Sequence, residues 1–379
     1  MINPERLAKR FEKLVGIDSL SRHEKNVALE LESILTAMGA SVCYDDAKDR
    51  VNGDCSNLVA KFRGTVDAEP VFLSGHMDTV GPGEGIKVKF ENGIFTSDGT
   101  TILGSDDKSA LAIILEVMDV ILENKIDYPP VEIVFTVCEE VGLLGAKNFD
   151  YSLMDSKFGF ILDSTDTHGI VTRAPAANKI IIKIFGRAAH AGASPEKGIN
   201  ALAVAAKAIS ELELGRIDEE TTCNLGTIQG GEATNIVPDF VEIHGEARSH
   251  DVEKLKKVTD NIVAAFNDAA ALFRKDSDLP RIEAVVENDF LNTNIPEDHK
   301  VVKLARKAAA NLGRKLETKT IGGGADANVF FTKGIAAGVL GTGMTDVHTV
   351  HESIALKDME NTANLVLEIL KVHALENTL

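Results

Sequence analysis

At 379 residues, with 44% apolar and 26% charged side chains, the chain is too long for one small core and has the make-up of a globular protein of one large or two medium domains. Its formal charge of −18 disfavours nucleic acid and anionic membranes as partners, and no stretch reaches the ~18 uninterrupted apolar residues of a membrane span. The first six residues lack the apolar centre of a secretory leader, so a cytoplasmic location is expected, and Cys43, Cys55, Cys138 and Cys223, scattered without C-x-x-C spacing, argue against a thiolate cluster or a disulfide framework.

Residues 4–15 predict a short amphipathic helix. Ser21-Arg22-His23-Glu24 has capping-box spacing ahead of a longer helix reaching about Met38, with His23 solvated in its first turn. Residues 59–62 and 71–74 read as neighbouring strands. The second breaks at Gly75, so His76 and Asp78 emerge at its C-terminal edge, where open α/β sheets build their sites. Two apart in extended chain, their side chains point the same way. The carboxylate there could hold the imidazole in one tautomer while the other ring nitrogen binds a metal. Taken alone, the tripeptide reads equally well as a solvated loop pair.

Next come a loop at residues 81–85 and a hairpin over 88–95 that turns at Glu91-Asn92-Gly93. Residues 103–108 lead into a helix whose Leu111, Ile114, Leu115, Met118, Ile121 and Leu122 follow the 3.6-residue period. By itself, Asp106 at that helix start would be an N-cap. A strand over 131–137 runs into Cys138-Glu139-Glu140. Adjacent glutamates at the end of a buried strand raise one another's pKa unless a cation intervenes. A further strand over 158–162 ends in Asp163, again a carboxylate closing an apolar run.

From Ala176 the texture changes. A strand over 178–186, a helix over 199–214, strands over 222–229 and 237–248, a helix over 252–273 and a strand over 281–286 give the ferredoxin-like split βαβ order. Residues 176–288 are therefore expected to form an inserted second domain, and 1–175 with 289–379 the first. The first domain resumes with a helix over 299–312, a glycine turn at 322–324, a helix from Asp326 and a strand over 335–340. Asp346 to Glu352 follow, then a C-terminal helix from Lys357 to about Ala374.

His76, Asp106, Glu139, Glu140, Asp163 and His348 all lie where strands or helix starts meet loops. Oxygen and imidazole donors without thiolate suit Zn²⁺, with Mn²⁺ or Co²⁺ as substitutes. With Asp78, the carboxylates carry more negative charge than one divalent ion offsets, which favours two ions. If Asp106 bridges such a pair, a water between them becomes a nucleophile near neutral pH, and one carboxylate must stay unligated to take its proton.

The segments SGHMDTVGPG, LGSDDKSALA, VCEEVGLLGA, ILDST, GRAAHAGASPEKGINA, EATNIVPD, GEARSHD, GGGADANVF and VHTVHESI occur in this order along nearly the whole chain. They resemble the motif set of the dinuclear zinc exopeptidases, which include carboxypeptidase G, succinyl-diaminopimelate desuccinylase, aminoacylase and peptidase T. HMDTVGPG and the HTVHE ending look most like the peptidase T branch. The resemblance implies an α/β catalytic domain, a mixed sheet flanked by helices, with an inserted ferredoxin-like α+β dimerisation or lid domain. It implies two Zn²⁺ per chain, with His76, Asp106 and Asp163 on one ion, Glu140 and His348 completing the other, and Asp106 bridging. It also implies Asp78 as the orienting carboxylate and Glu139 as general base.

His348 is preferred to His351 as ligand because the family's histidine stands four residues before a glutamate, here Glu352; His351 then belongs to the surroundings of the site. In the inserted domain the resemblance places His190 across a dimer interface, hydrogen-bonding the substrate carbonyl, and gives Asn235 and Arg248 substrate contacts. Read without it, Arg248 is an ordinary surface ion pair. Gly322 to Gly324 read either as backbone donors to substrate or as a plain turn. Cys138 departs from the acidic or small polar residue usual there, and Ser109-Ala110 replaces the more common Ala-Gly. The expected activity is removal of the N-terminal residue from short peptides, tripeptides foremost, by a homodimer. The alternative is a carboxypeptidase or N-acyl-amino-acid deacylase on the same metal site. Retention of Glu139 and every ligand counts against a non-catalytic scaffold.

Overall fold

Residues 1–274 and 278–376 are described in the computed structural model of the protein, and the chain divides into two units. The first comprises Met1–Thr172, Asn294–Thr320 and Ala325–Leu379. At its centre lies a nine-stranded mixed sheet. Four parallel strands form the middle in the order Val131–Thr136, Val71–His76, Phe158–Ile161 and Ala336–Leu340. All four are buried along their whole length, as expected of short Val-, Ile- and Phe-rich runs in a parallel sheet covered on both faces. Leu58–Phe62 and Ser41–Tyr44 extend one side antiparallel.

Residues 59–62 and 71–74 were expected to be neighbouring strands, and in the sheet they are not adjacent. Val131–Thr136 lies between them, antiparallel to one and parallel to the other. A buried strand must satisfy hydrogen bonds on both edges, and nearness in sequence does not decide which strands supply them.

Helix Ser105–Asn124 is buried on every side over most of its length. It packs on the Val71–His76 strand and beside helices Pro4–Val15 and Leu356–Glu376, so the periodic apolar stripe understates its burial. Midway along it the buried Glu116 accepts hydrogen bonds from Arg6 Nε at 2.6 Å, Arg6 Nη2 at 3.0 Å and the Asn3 N–H at 2.8 Å. The expected hairpin is present as Lys89–Glu91 and Ile94–Thr96, with Asn92 and Gly93 at φ 52° and 82° in its turn. Ser353–Ala355 and Met344–Thr345 extend it into a four-stranded sheet.

The second unit comprises Arg173–Thr293 with Ile321–Gly324; it begins and ends slightly outside 176–288 and takes in the glycine turn. Its five strands are antiparallel, in the order Gly215–Asp218, Thr221–Gly230, Phe240–Ser249, Ala176–Phe185, Arg281–Phe290. Apart from the short edge strand Gly215–Asp218, this is the interleaved order of the split βαβ pattern. Helices Ala201–Ser210 and Val252–Leu272 close its core around Ile180, Ile182, Ile184, Val204, Ile262 and Phe266. Among the described residues, no helix is long and apolar enough to cross a membrane.

Candidate metal centre

The C-terminal ends of the four parallel strands bring the polar residues of the first unit together. The Val71–His76 strand runs through Gly75 to His76, so Gly75 is not the break it resembles in sequence. A Cβ there would stand 2.7 Å from Asp107 Oδ2 and 2.9 Å from Ala110 Cβ. Only glycine lets the Ser105–Asn124 helix come this close, and Asp107 Oδ2 accepts the His76 N–H at 3.1 Å.

The His76 ring is held on both sides. Nδ1 lies 2.9 Å from the Asp78 carbonyl oxygen and 3.3 Å from Asp78 Oδ1, and Nε2 lies 2.9 Å from Asp106 Oδ1. Because the carbonyl has no proton, Nδ1 carries the hydrogen. Nε2 can face a carboxylate at that distance only as a protonated ring or with a cation between them. Burial works against the charged ring, but Asp106 and Asp78 outweigh it and hold the pKa well above the usual imidazole range.

Asp78, fully buried, binds two loops at once. Oδ1 accepts the Glu139 N–H at 3.0 Å, and Oδ2 accepts the Glu140 N–H at 3.2 Å and the Ser21 hydroxyl at 2.7 Å. Ser21 was expected to belong to a capping box. Instead the Lys25–Ala37 helix has Glu24 at its cap position with no side-chain cap bond, and both residues turn inward. Glu24 Oε1 accepts the Arg22 and Cys138 N–H groups.

Asp106 lies between two imidazoles. His348 Nε2 is 3.3 Å from Asp106 Oδ2 and 2.9 Å from Glu140 Oε1. These two carboxylates raise the His348 pKa to about 10, with burial opposing them. His348 adopts φ 63°, a left-handed conformation uncommon for a residue with a Cβ. The chain near Asp106 is not a regular cap: Gly104 is left-handed, and Asp106 and Asp107 have non-helical φ/ψ within the first turn.

Further acids surround this core. Candidate ligand atoms of His76, Asp106 and Glu140 lie within 4.8 Å of one another, as do those of Asp106, Asp107 and Asp163. Burial, and then the neighbouring Asp106 charge, push Asp163 up to about 7. Burial pushes Glu139 and Asp107 well above the carboxylate range. Asp326, at the start of the Asp326–Thr332 helix, is raised to about 6 by burial while Oδ2 accepts the Thr136 hydroxyl at 2.6 Å. The buried oxygens Asp107 Oδ1 and Asp326 Oδ1 take no hydrogen bond. Carboxyls that drive one another toward neutrality, around two imidazoles of which His76 is already held on its far side by Asp78, are the donor set that divalent cations satisfy.

Asp107, Asp326, Ser21 and Glu24 were not picked out from sequence as residues of this centre. Glu24 stands at a helix cap and Asp107 and Asp326 in first turns, where an isolated polar side chain ordinarily serves its own helix, and Ser21 has the spacing of a capping-box residue. Doubled acids at residues 106–107, like those at 139–140, were the one available signal.

In the second unit, His190 is exposed and its Nδ1 accepts the Gly192 and Ala193 N–H groups at 3.2 and 3.1 Å. The neutral ring therefore carries its hydrogen on Nε2. The Asn235 carbonyl accepts the Ala191 N–H at 2.9 Å, so the two segments run side by side. Arg248 pairs with Glu246 Oε2 at 3.0 Å and reaches the Gly322 carbonyl at 3.4 Å, and its buried Nε takes part in no hydrogen bond. His351 is exposed.

A sequence profile described as Peptidase family M20/M25/M40 matches residues 72–372. The chain is 41% identical over 372 residues to the protein YqjE of Bacillus subtilis (strain 168), described as uncharacterized, covering 98% of this chain and 99% of that one. Among solved structures it is similar to a tripeptidase from Staphylococcus aureus subsp. aureus Mu50, with a TM-score of 0.94 and 39% identity over 99% of both chains. It is similar also to aminopeptidase PepT from Bacillus cereus ATCC 10987, with a TM-score of 0.90 and 38% identity over 98% of this chain and 99% of that one.

Proposed function

Since the chain belongs to peptidase family M20/M25/M40, we infer that it is a metal-dependent aminopeptidase that removes the N-terminal residue from short peptides, tripeptides foremost. The observation that carries the reading is Asp106, whose two oxygens face His76 on one side and His348 on the other. That arrangement suits a carboxylate shared by two cations. The tripeptidase and PepT likenesses, each over nearly the whole chain, support the peptide substrate.

In this reading His76, Asp106 and Asp163 hold one ion, Glu140 and His348 with Asp106 hold the other, and both are Zn²⁺. Two such ions supply a polarised carbonyl and a water acidic enough to attack near neutral pH. Asp78 orients the His76 ring and fixes the turn bearing Glu139 and Glu140 through their N–H groups. Glu139 accepts the proton of the attacking water and returns it to the departing amine. The ferredoxin-like unit serves as dimerisation and lid domain of a cytoplasmic homodimer. Its His190, with a hydrogen on the outward Nε2, donates to the substrate oxyanion in the partner subunit's site. Asn235 and Arg248 hold the peptide, Arg248 gripping its terminal carboxylate.

Kinetics on a panel of di-, tri- and tetrapeptides beside N-acetyl and N-succinyl amino acids tests the substrate class. The highest kcat/KM is expected for tripeptides with a free N-terminus. A preference for N-acylated substrates would replace this reading with the deacylase alternative.

A further inference from the structure

A second group of ligating side chains lies in the first unit, away from the imidazoles. Glu24, Asp54 and Cys55 each offer one ligand atom, all within 4.8 Å of one another. Glu24 is fully buried. Its Oε1 accepts the Arg22 N–H at 2.9 Å and the Cys138 N–H at 3.0 Å, with Cys138 Sγ at 3.4 Å. Its Oε2 is sealed from solvent and takes no hydrogen bond. A buried carboxylate oxygen without a donor is costly unless it is protonated or binds a cation. With Oε1 engaged, Oε2 is the oxygen left for a ligand.

The neighbours fit a cation better than a proton. Asp54 is half-buried, with Oδ1 accepting the Lys25 N–H at 3.0 Å, so it links the group to solvent and gives an ion a way in. Cys55 is buried, and its thiol is pushed up by burial and then by the charges of Glu24 and Asp54. A metal reverses that ordering, because thiolate is the ligand form. One sulfur and two carboxylates exclude Mg²⁺ and Ca²⁺, which prefer oxygen alone, and suit a borderline ion such as Zn²⁺.

We propose that Glu24, Asp54 and Cys55 form a further cation site, built for one zinc-class divalent ion and separate from the dinuclear centre. Binding releases the Cys55 proton, and any proton held by Glu24, to solvent. The ion braces the segment that carries Ser21, whose hydroxyl bonds Asp78, against the turn at Cys138 whose N–H bonds Glu24. None of the three is a ligand or the base in the peptidase reading, so the proposal stands or falls independently of it.

The test is Co²⁺ titration of the metal-free full chain, read by near-ultraviolet absorption and by counting bound ions. The dinuclear centre contains no sulfur, so a thiolate-to-cobalt charge-transfer band reports the Cys55 site alone. Wild type should show the band, and Cys55→Ser should lose both the band and one ion. Cys43→Ser, which removes the exposed thiol, should keep it, and His348→Ala should keep it while losing ions from the other centre. Zn²⁺ should bleach the band by competition, whereas Mg²⁺ should not. Asp54→Asn, at a half-exposed position, should weaken the cobalt affinity behind the band by about tenfold or more. The proposal is overturned by a wild type without the band, by a band that survives Cys55→Ser, by one that disappears with Cys43→Ser, or by bleaching with Mg²⁺. Should Cys55→Ser fail to fold, unchanged affinity in Asp54→Asn overturns it alone.

Discussion

Glu352 accepts the Asp106 N–H at 3.1 Å and thereby ties the turn after His348 to the turn that presents the Asp106 carboxylate. The same side chain accepts the Leu103 and Gly104 N–H groups, each at 2.8 Å, and the Ser105 hydroxyl at 2.6 Å. Glutamine keeps the volume but turns one acceptor into a donor facing these donors. Glu352→Gln is expected to lower stability by about 1–3 kcal/mol and to weaken metal retention about 10–100-fold. Calorimetry and ion counts after dialysis measure both, and wild-type values for the two would remove Glu352 from this role.

The assignment of Glu139 as base predicts a different pattern. Glu139→Gln should keep the metal content of wild type while kcat falls by about 10²–10⁴. Metal analysis beside steady-state kinetics checks it; turnover near wild type with metal intact would sink the assignment.

The proposal that His190 completes the site of a partner subunit makes a third prediction. His190→Ala and Glu139→Gln should each be nearly inactive alone, because every site in either homodimer lacks one member. After subunit exchange, a mixed dimer pairs an intact Glu139 with an intact His190, and up to about half of wild-type activity should return per mixed dimer. No recovery, with exchange shown independently, would mean that His190 serves its own chain or is structural.

Stability against acid should carry a contribution from His373. This buried ring places Nε2 2.8 Å from the Glu69 carbonyl and meets the Phe158 ring edge-on, and burial followed by the Lys300 charge lowers its pKa. A histidine neutral in the fold and protonated more readily in the unfolded chain stabilises the fold fully above the unfolded pKa of about 6.5. That contribution is lost as pH falls through the lowered folded value. The stability difference between wild type and His373→Gln should therefore narrow from pH 7 to pH 5 in paired urea titrations. A constant difference would exclude the linkage.

The strand ends carrying His76, Glu139, Glu140 and Asp163 were legible because each is a short apolar run closed by charge, a pattern local to a few residues. The split βαβ order was legible for the same reason. Strand neighbours were not: nothing in residues 59–62 or 71–74 tells that Val131–Thr136 separates them. Ser21 and Glu24 show the complementary failure. Their spacing fits a cap, yet the donors and acceptors that claim them, Asp78 and the Cys138 N–H, come from distant stretches of chain. Gly75 reads as a strand breaker by composition, and only the approach of Asp107 shows that it is there to make room.

The span of sequence from His76 to Glu352 also bears on when a growing chain becomes active. A nascent polypeptide that has emerged only as far as Asp163 already holds one imidazole and most of the carboxylates. It still lacks His348, and the turn at residues 103–106 has no Glu352 to take its four hydrogen bonds. With His348 as a ligand, hydrolytic competence is expected only after the C-terminal part of the catalytic unit has left the ribosome and closed the centre, and unfinished chains and fragments clipped ahead of residue 348 are expected to be silent toward peptides.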